Sequence, residues 1–265
     1  VPPAVIGHEI SGEIAEVGNN ITGVHKGDKV TLVTSFGCGT CKLCQRGFYN
    51  LCPATQAIGY RYSGGFAEYV LVPAPAVKQN ACIPLPSNVS LLQGALIEPL
   101  SCVINGQNYL AISEGDSVVI FGGGPIGLMH AMLARAHGAK HVIMIDPDFA
   151  RLSRFAAQFQ GLELVNPREA DPVETVRKIT EGFGADVIIT ACPAKQAQIQ
   201  AFDIAAPRAR ISFFGGLPKN DSMVTIDSNR IHYGELSIFG SFASNRKDYE
   251  KAAEMIAKRL IEPEL

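Results

Sequence analysis

Four cysteines fall in one short stretch, GCGTCKLCQRGFYNLC, at the spacing C-x2-C-x2-C-x7-C: Cys38, Cys41, Cys44 and Cys52. Thiolates this close in sequence can close a tetrahedron around zinc at little loop-closure cost, and four sulfurs leave no open coordination position. Such a site is structural, not catalytic. Gly37, Gly39 and Gly47 supply the turns that let the backbone curl around an ion. An iron–sulfur cluster or two disulfides are the competing uses of these sulfurs. The x7 spacing and the missing proline after the fourth cysteine do not fit the bacterial cluster pattern, so zinc is favoured. A second set of candidate donors is His8 beside Glu9 in GHEISG, and Glu98 in ALIEPLS. A catalytic zinc takes about three protein ligands from N, S and O donors and keeps one position open. Spacing alone does not bring these three together. The plainer readings are a polar pair at a strand entrance and a helix-end carboxylate held before a proline.

A third group is GGGPIG, in which Gly122, Gly124 and Gly127 satisfy G-x-G-x-x-G. It follows an apolar run and opens a helical pattern, the context that a dinucleotide-binding loop requires. The first glycine permits the turn, the second lets a pyrophosphate approach the backbone, and the third lets helix and sheet pack closely. The helix N-terminus then offers free N–H groups to the phosphates. Asp146 ends the next apolar run, 19 residues beyond Gly127, where a carboxylate accepts from ribose hydroxyls and repels a 2′-phosphate; NAD is therefore favoured over NADP. Asp146 or Asp148 can alternatively cap the helix starting at DPDFARL. Arg151 reads equally as a ribose or adenine contact and as a solvated helix arginine.

Two kinds of pattern must position these groups. Residues 1–95 are short β-like runs broken by Gly and Pro (EISGEIAEVG, KVTLV, FAEYVLVPA), which predict a compact, barrel-like β domain. From about residue 115, strand and helix alternate: SVVIFG at 117–122, a helix over 125–138 ended by glycine, HVIMID at 141–146 and a helix over 150–159. LELVN, a helix near 172–181, ADVIITAC, a helix near 195–205 and RISFFG follow. Continuous apolar strands between amphipathic helices predict a parallel sheet covered on both faces, and hence the doubly wound α/β fold.

The bulk numbers narrow the class. The chain has 265 residues, 47% hydrophobic and 18% charged, with a formal net charge of −2. It carries no basic run, which argues against nucleic acid or an anionic membrane as partner. No apolar stretch is long enough to span a bilayer, and VPPAVIGHE does not read as a signal peptide. Of seven cysteines, Cys82, Cys102 and Cys192 are scattered among apolar neighbours. That distribution predicts a metal site plus buried thiols in a reducing compartment.

GHEISGEIAEVG, the cysteine lobe, SGGFAEYVLVPA, ALIEPLS and GGGPIG stand in an order that resembles the zinc-dependent medium-chain alcohol dehydrogenases. The likeness covers essentially the whole chain. It is greatest to the polyol branch of sorbitol (L-iditol) dehydrogenases, with L-threonine dehydrogenases nearby. The resemblance implies a partial GroES-like β-barrel catalytic domain at 1–95, with its zinc lobe at 36–54, and a Rossmann domain at 96–265. It implies a catalytic zinc at His8, Glu9 and Glu98 and a structural zinc at Cys38, Cys41, Cys44 and Cys52. It places NAD on Gly122, Gly124, Pro125, Ile126, Gly127, Asp146 and Arg151. Phe214, Gly215, Gly216, Ser241 and Phe242 would line the nicotinamide side.

The implied reaction takes a secondary alcohol of a polyol to a ketone, in a cytoplasmic homo-oligomer, dimer or tetramer, with LSIFGS (236–241) as an edge strand that pairs with its twin. The family's first catalytic ligand is a cysteine in a CGSD-like segment upstream of GHE, and a return segment lies beyond IEPEL. The chain therefore reads as missing both ends, with a weakened catalytic zinc site and little or no activity. L-Threonine or a sugar phosphate is the alternative substrate, the latter needing basic groups such as Arg61, Lys219, Arg246 and Lys247. An inactive chain that keeps only structural zinc and NAD binding is the other alternative.

Overall fold

A computed structural model describes residues 5–262 apart from 158 and 160. The described chain forms two compact units. One holds the residues through Asn105 together with the stretch beginning at Phe242, and the other is Gly106–Ser241.

The first unit contains β1 (Ser11–Glu13), β2 (Lys29–Leu32), β3 (Ser35–Phe36), α1 (Lys42–Gln45), β4 (Gln56–Ala57), α2 (Ala74–Lys78), β5 (Cys82–Pro84), α3 (Leu91–Ala95) and the start of α4 (Ile97–Asn108). β1, β2 and β5 make an antiparallel sheet with β2 in the centre, and β3 pairs with β4 across the base of the cysteine stretch. Val30, Leu32 and Ile83 are buried by this pairing. Buried Thr31 is satisfied by donating its hydroxyl to the Ile10 carbonyl at 3.0 Å. Ser90 and Gln93 close a capping box at the start of α3, which fixes where the helical run leading to Glu98 begins.

One expected strand is absent. FAEYVLVPA forms no strand, and Phe66, Tyr69 and Leu71 are exposed. Alternation and β-branching give a segment the tendency to pair, but a strand exists only where a partner edge accepts its N–H and C=O groups.

The second unit is built on β6 (Ser117–Phe121), α5 (Pro125–Ala136), β7 (His141–Ile145), α6 (Phe149–Ala156), β8 (Glu163–Val165), α7 (Pro172–Ile179), β9 (Ala185–Thr190), α8 (Lys195–Ile204), β10 (Ala205–Phe213), α9 (Ser228–Gly234) and β11 (Ser237–Gly240). Its six strands are all parallel, in the order β8-β7-β6-β9-β10-β11. The order reverses direction between β6 and β9, so the crevice at the carboxyl end of β6 is the topological switch point. Successive strand residues serve opposite faces. Val118, Ile120, Val142, Met144, Val187 and Ile189 enter one core with Leu128 and Leu152, while Val119, Phe121, Ile143, Ile145 and Ile188 enter the other. Both faces are covered, which explains runs that are apolar at every position.

The sequence pattern put the domain boundary at 95/96 and ran the second domain to 265. By contact, α4 stays with the first unit as far as Asn105, and the chain rejoins that unit from Phe242. The returning stretch is held by α10 (Arg246–Ala257), which buries Tyr249, Ala252, Ala253, Met255 and Ile256. The Tyr249 hydroxyl lies 3.4 Å from Thr34 Oγ1, and Asn88 donates to the Ala257 carbonyl at 2.8 Å. Among the described residues no helix is long and apolar enough to cross a membrane.

Candidate functional site

The cysteine lobe is shaped by its own backbone. Cys41 caps α1 and receives the Cys44 N–H on its sulfur at 3.5 Å. The Cys41 N–H points to Cys38 Sγ and the Cys38 N–H to Cys52 Sγ, both at 3.3 Å. The Thr40 hydroxyl, with the Thr40 and Cys41 N–H groups, lowers the Cys38 thiol to about 6, whereas burial pushes Cys44 up to about 12. Cys38 and Cys44 sulfurs are 4.0 Å apart, and those of Cys41 and Cys52 are 3.8 Å apart. Sulfurs at the corners of a tetrahedron with metal bonds of about 2.3 Å are separated by about 3.8 Å, so this donor set fits zinc. Among the described residues, it is the only set of three or more possible ligands whose donor atoms all lie within 4.8 Å of one another.

His8, Glu9 and Glu98 also belong to the first unit. The GHE segment is gripped by the loop GYRYSGG: Gly64 donates its N–H to Val5, Gly65 to Gly7 and Phe66 to Ile6. A side chain on Gly64 would overlap the Gly7 backbone, so only glycine lets the loop approach this closely. Tyr60 from the same loop lies against the His8 ring at 5.1 Å. Glu98 stands in the first turn of α4. Burial, and next the charge of Glu9, raise its carboxyl to about 7. Glu9 and Glu98 thus feel one another, but like charges repel, and the three side chains do not draw together as the cysteines do. Cys102, one of the thiols expected to be buried, lies against Glu98 with Sγ 3.8 Å from Oε1. The two are i,i+4 neighbours on α4, a relation readable once the helix is known. Cys82, Cys102 and Cys192 are half-buried, not fully buried as expected.

The glycine loop lies in the second unit. Gly124 is the N-cap of α5 and Pro125 its first residue. Gly122 has φ +114°, which favours glycine, and donates to the Ile145 carbonyl at 2.9 Å. A Cβ on Gly127 would overlap the Gly122 carbonyl oxygen, so the helix start presses directly on the turn. The Asp146 carboxylate accepts from the Gly123 N–H at 2.6 Å, the Asp148 N–H at 2.7 Å and the Arg151 guanidinium at 2.9 Å. Asp148, and not Asp146, caps α6 by accepting from the Arg151 N–H. A carboxylate offers about four lone pairs, so Asp146 retains one acceptor site on Oδ1. Gly215 donates to Thr190 at 2.7 Å, and the Phe214 ring packs over Gly106. The Ser241 hydroxyl is buried without a partner, and Phe242 is exposed. Of the basic residues considered for a phosphate, Arg246 is engaged by Glu250 and the Asn80 carbonyl.

A zinc-ready sulfur cluster in a β-rich unit, and a glycine loop at the switch point of a doubly wound unit, define a dehydrogenase architecture. The family profile for the alcohol dehydrogenase GroES-like domain matches residues 1–87, and that for zinc-binding dehydrogenase matches residues 125–258. A sorbitol dehydrogenase of Halalkalibacterium halodurans is 32% identical over 262 residues, covering 98% of this chain and 74% of that protein. An L-threonine 3-dehydrogenase of Pyrococcus horikoshii is 37% identical over 241 residues, covering 90% of this chain and 66% of that protein. A Sinorhizobium meliloti 1021 structure described as a zinc-binding dehydrogenase, with NADP bound, is 32% identical with a TM-score of 0.90, covering 99% of this chain and 75% of that one. The chain belongs to the zinc-dependent medium-chain alcohol dehydrogenases, in their polyol branch.

Two outcomes follow from this geometry. Gly127→Ala is expected to destabilise the protein by about 1–3 kcal/mol through overlap with the Gly122 carbonyl, read as a lowered urea midpoint. Glu98 has a folded pKa of about 7 against an ordinary 4.5, so its ionisation opposes folding. Its contribution is present below pH 4.5 and lost as pH rises through about 7. For chelator-treated protein the loss is on the order of 1–2 kcal/mol, discounted for partial exposure. Urea midpoints from acid to neutral pH should show this slope in the native sequence and a flatter one in Glu98→Gln; identical slopes would remove Glu98 as the cause.

Proposed function

We propose that the protein oxidises a secondary alcohol of a sorbitol-like polyol to the ketone, with NAD as hydride acceptor: alcohol and NAD+ become ketone, NADH and a proton. The observation that carries the reading is the Asp146 carboxylate, anchored to the glycine turn and keeping one acceptor site. The Gly124 N–H and the N–H groups of the first turn of α5 beyond Pro125 receive the pyrophosphate. Asp146 accepts from the adenosine ribose and repels a 2′-phosphate. Arg151, which a 2′-phosphate would need, is already paired with Asp146. Pro125, Ile126 and Gly127 lie beneath the phosphates, and Phe214, Gly215, Gly216, Ser241 and Phe242 are assigned to the nicotinamide side.

Cys38, Cys41, Cys44 and Cys52 are assigned to a structural zinc. His8, Glu9 and Glu98 are assigned to the alcohol end, as donors for a second zinc that would act as a Lewis acid on the hydroxyl when bound. Their side chains do not converge as a closed set, so the reading gives them the alcohol end and no fixed coordination. Glu98, with a pKa of about 7, is suited to hold or release a proton near neutral pH. A cytoplasmic homo-oligomer is part of the same reading. The oligomer is supported by β11, an edge strand of the parallel sheet. L-Threonine is kept as a second substrate reading because of the 37% identity to the Pyrococcus enzyme.

Metal content, dinucleotide binding and turnover test the proposal. Two zinc ions per chain are expected if His8, Glu9 and Glu98 hold a metal; one assigns zinc to the cysteine lobe alone. Chelation of the lobe zinc should lower thermal stability, because metal binding to thiolates is coupled to folding. NADH should bind at least about tenfold more tightly than NADPH by fluorescence titration, and equal or reversed affinities would overturn the cofactor assignment. A panel of sorbitol, xylitol and L-threonine then decides the substrate class, and turnover of none supports a chain that binds zinc and NAD without activity.

A further inference from the structure

Side chains from separate parts of the first unit converge on the turn Phe242–Ser244. Asn50 sits in the 3₁₀ turn Tyr49–Leu51, between Cys44 and Cys52, and donates Nδ2 to the Phe242 carbonyl at 2.6 Å. Asn105, on α4, donates Nδ2 to the next carbonyl, Ala243, at 2.8 Å. Ser101 donates its hydroxyl to the Glu98 carbonyl at 2.6 Å. A hydroxyl has one proton, so across the 2.7 Å gap it is Ser244 that donates to Ser101. Cys102 adds a contact from its sulfur to Ser244 Oγ at 3.7 Å.

Two features show that the turn is imposed. Ala243 has φ +50°, a left-handed conformation that a Cβ-bearing residue adopts only where its surroundings hold it. Asn50 is buried, and its Oδ1 is left without a partner, so the amide is set to serve the Phe242 carbonyl at the expense of its own oxygen.

We infer that Asn50 is a positioning residue: it carries the order of the cysteine lobe to Glu98 through the Phe242–Ser244 turn. The path runs from the lobe to the Phe242 carbonyl, along the strained Ala243 backbone, through the Ser244 and Ser101 hydroxyls, and ends on the first turn of α4. A metal in the lobe then has a role beyond local folding, because it fixes the segment from which Asn50 reaches the turn. The catalytic meaning of this path rests on the assignment of Glu98 to the alcohol end.

Amide hydrogen exchange on the zinc-loaded full chain tests the path. Asn50→Asp keeps the shape and removes the donor. It is expected to speed exchange about tenfold in peptides covering 97–105 and 242–245, a loss in scale with one buried hydrogen bond. Asn88→Asp is the matched control, since Asn88 also donates to a carbonyl of the returning stretch, Ala257, at 2.8 Å. It should leave 97–105 unchanged. Ser244→Ala cuts the path at its other end by losing only a hydroxyl; it should release 97–105 and leave the lobe protected, and it decides the matter if Asn50→Asp does not fold. Unchanged protection at 97–105 in both Asn50→Asp and Ser244→Ala overturns the proposal, as does equal release in the Asn88 control. In turnover, Asn50→Asp should lower kcat, whereas the Asn88→Asp control should leave it unchanged. A protein that binds one zinc and oxidises no alcohol fails the functional reading, whereas exchange at 97–105 still decides the positioning role.

Discussion

The turn at the topological switch point of the doubly wound unit depends on the buried carboxylate of Asp146. A carboxylate removed from water is tolerated when it is hydrogen-bonded, and here two main-chain N–H groups and a guanidinium supply three of its bonds. Those bonds tie together three things that are separate in sequence: the glycine turn after β6, the end of β7 and the first turn of α6. The close approach of Gly127 to Gly122 then presses α5 onto the same turn. One carboxylate thus sets the turn geometry and stands where the ribose is expected.

The first unit is organised by a different tension. Four sulfurs crowd together, one inclined to ionise near neutrality and another held as a thiol by burial. A divalent cation would reconcile them, because metal binding favours the thiolate at every ligand. Glu9 and Glu98 show the same unrelieved character at smaller scale, two acidic groups near one another with Glu98 raised to about 7. The first unit therefore concentrates groups whose charge invites a cation, while the second concentrates N–H donors that invite an anion.

Features governed by near-neighbour rules were legible in the residues. The C-x2-C-x2-C-x7-C spacing led to converging sulfurs, and the glycine loop fell between a strand and a helix as its pattern requires. All-apolar runs such as SVVIF became strands buried on both faces. FAEYVLVPA was misread because its alternation is a local property, whereas pairing needs a second edge. The helix cap proved to be Asp148 once Asp146 was drawn to the Gly123 N–H. The Phe242–Ser244 turn could not be read at all, since Asn50, Asn105 and Ser101 lie far from it in sequence and carry no distinguishing pattern.

The sequence by itself determined the chemistry available: four cysteine sulfurs in register, an imidazole next to a carboxylate, and a glycine loop with an acid one strand later. It also determined the α/β alternation, since periodicity in apolar residues is an intrinsic consequence of helix and strand geometry. Only the tertiary structure decided that the chain rejoins the first unit at Phe242 and that Cys102 faces Glu98. It also decided that the carboxylate after β7 is already bound to the loop it was expected to assist. These are long-range outcomes. They arise because each buried polar group takes whichever partner the packed chain brings within reach, and no spacing along the sequence encodes that choice.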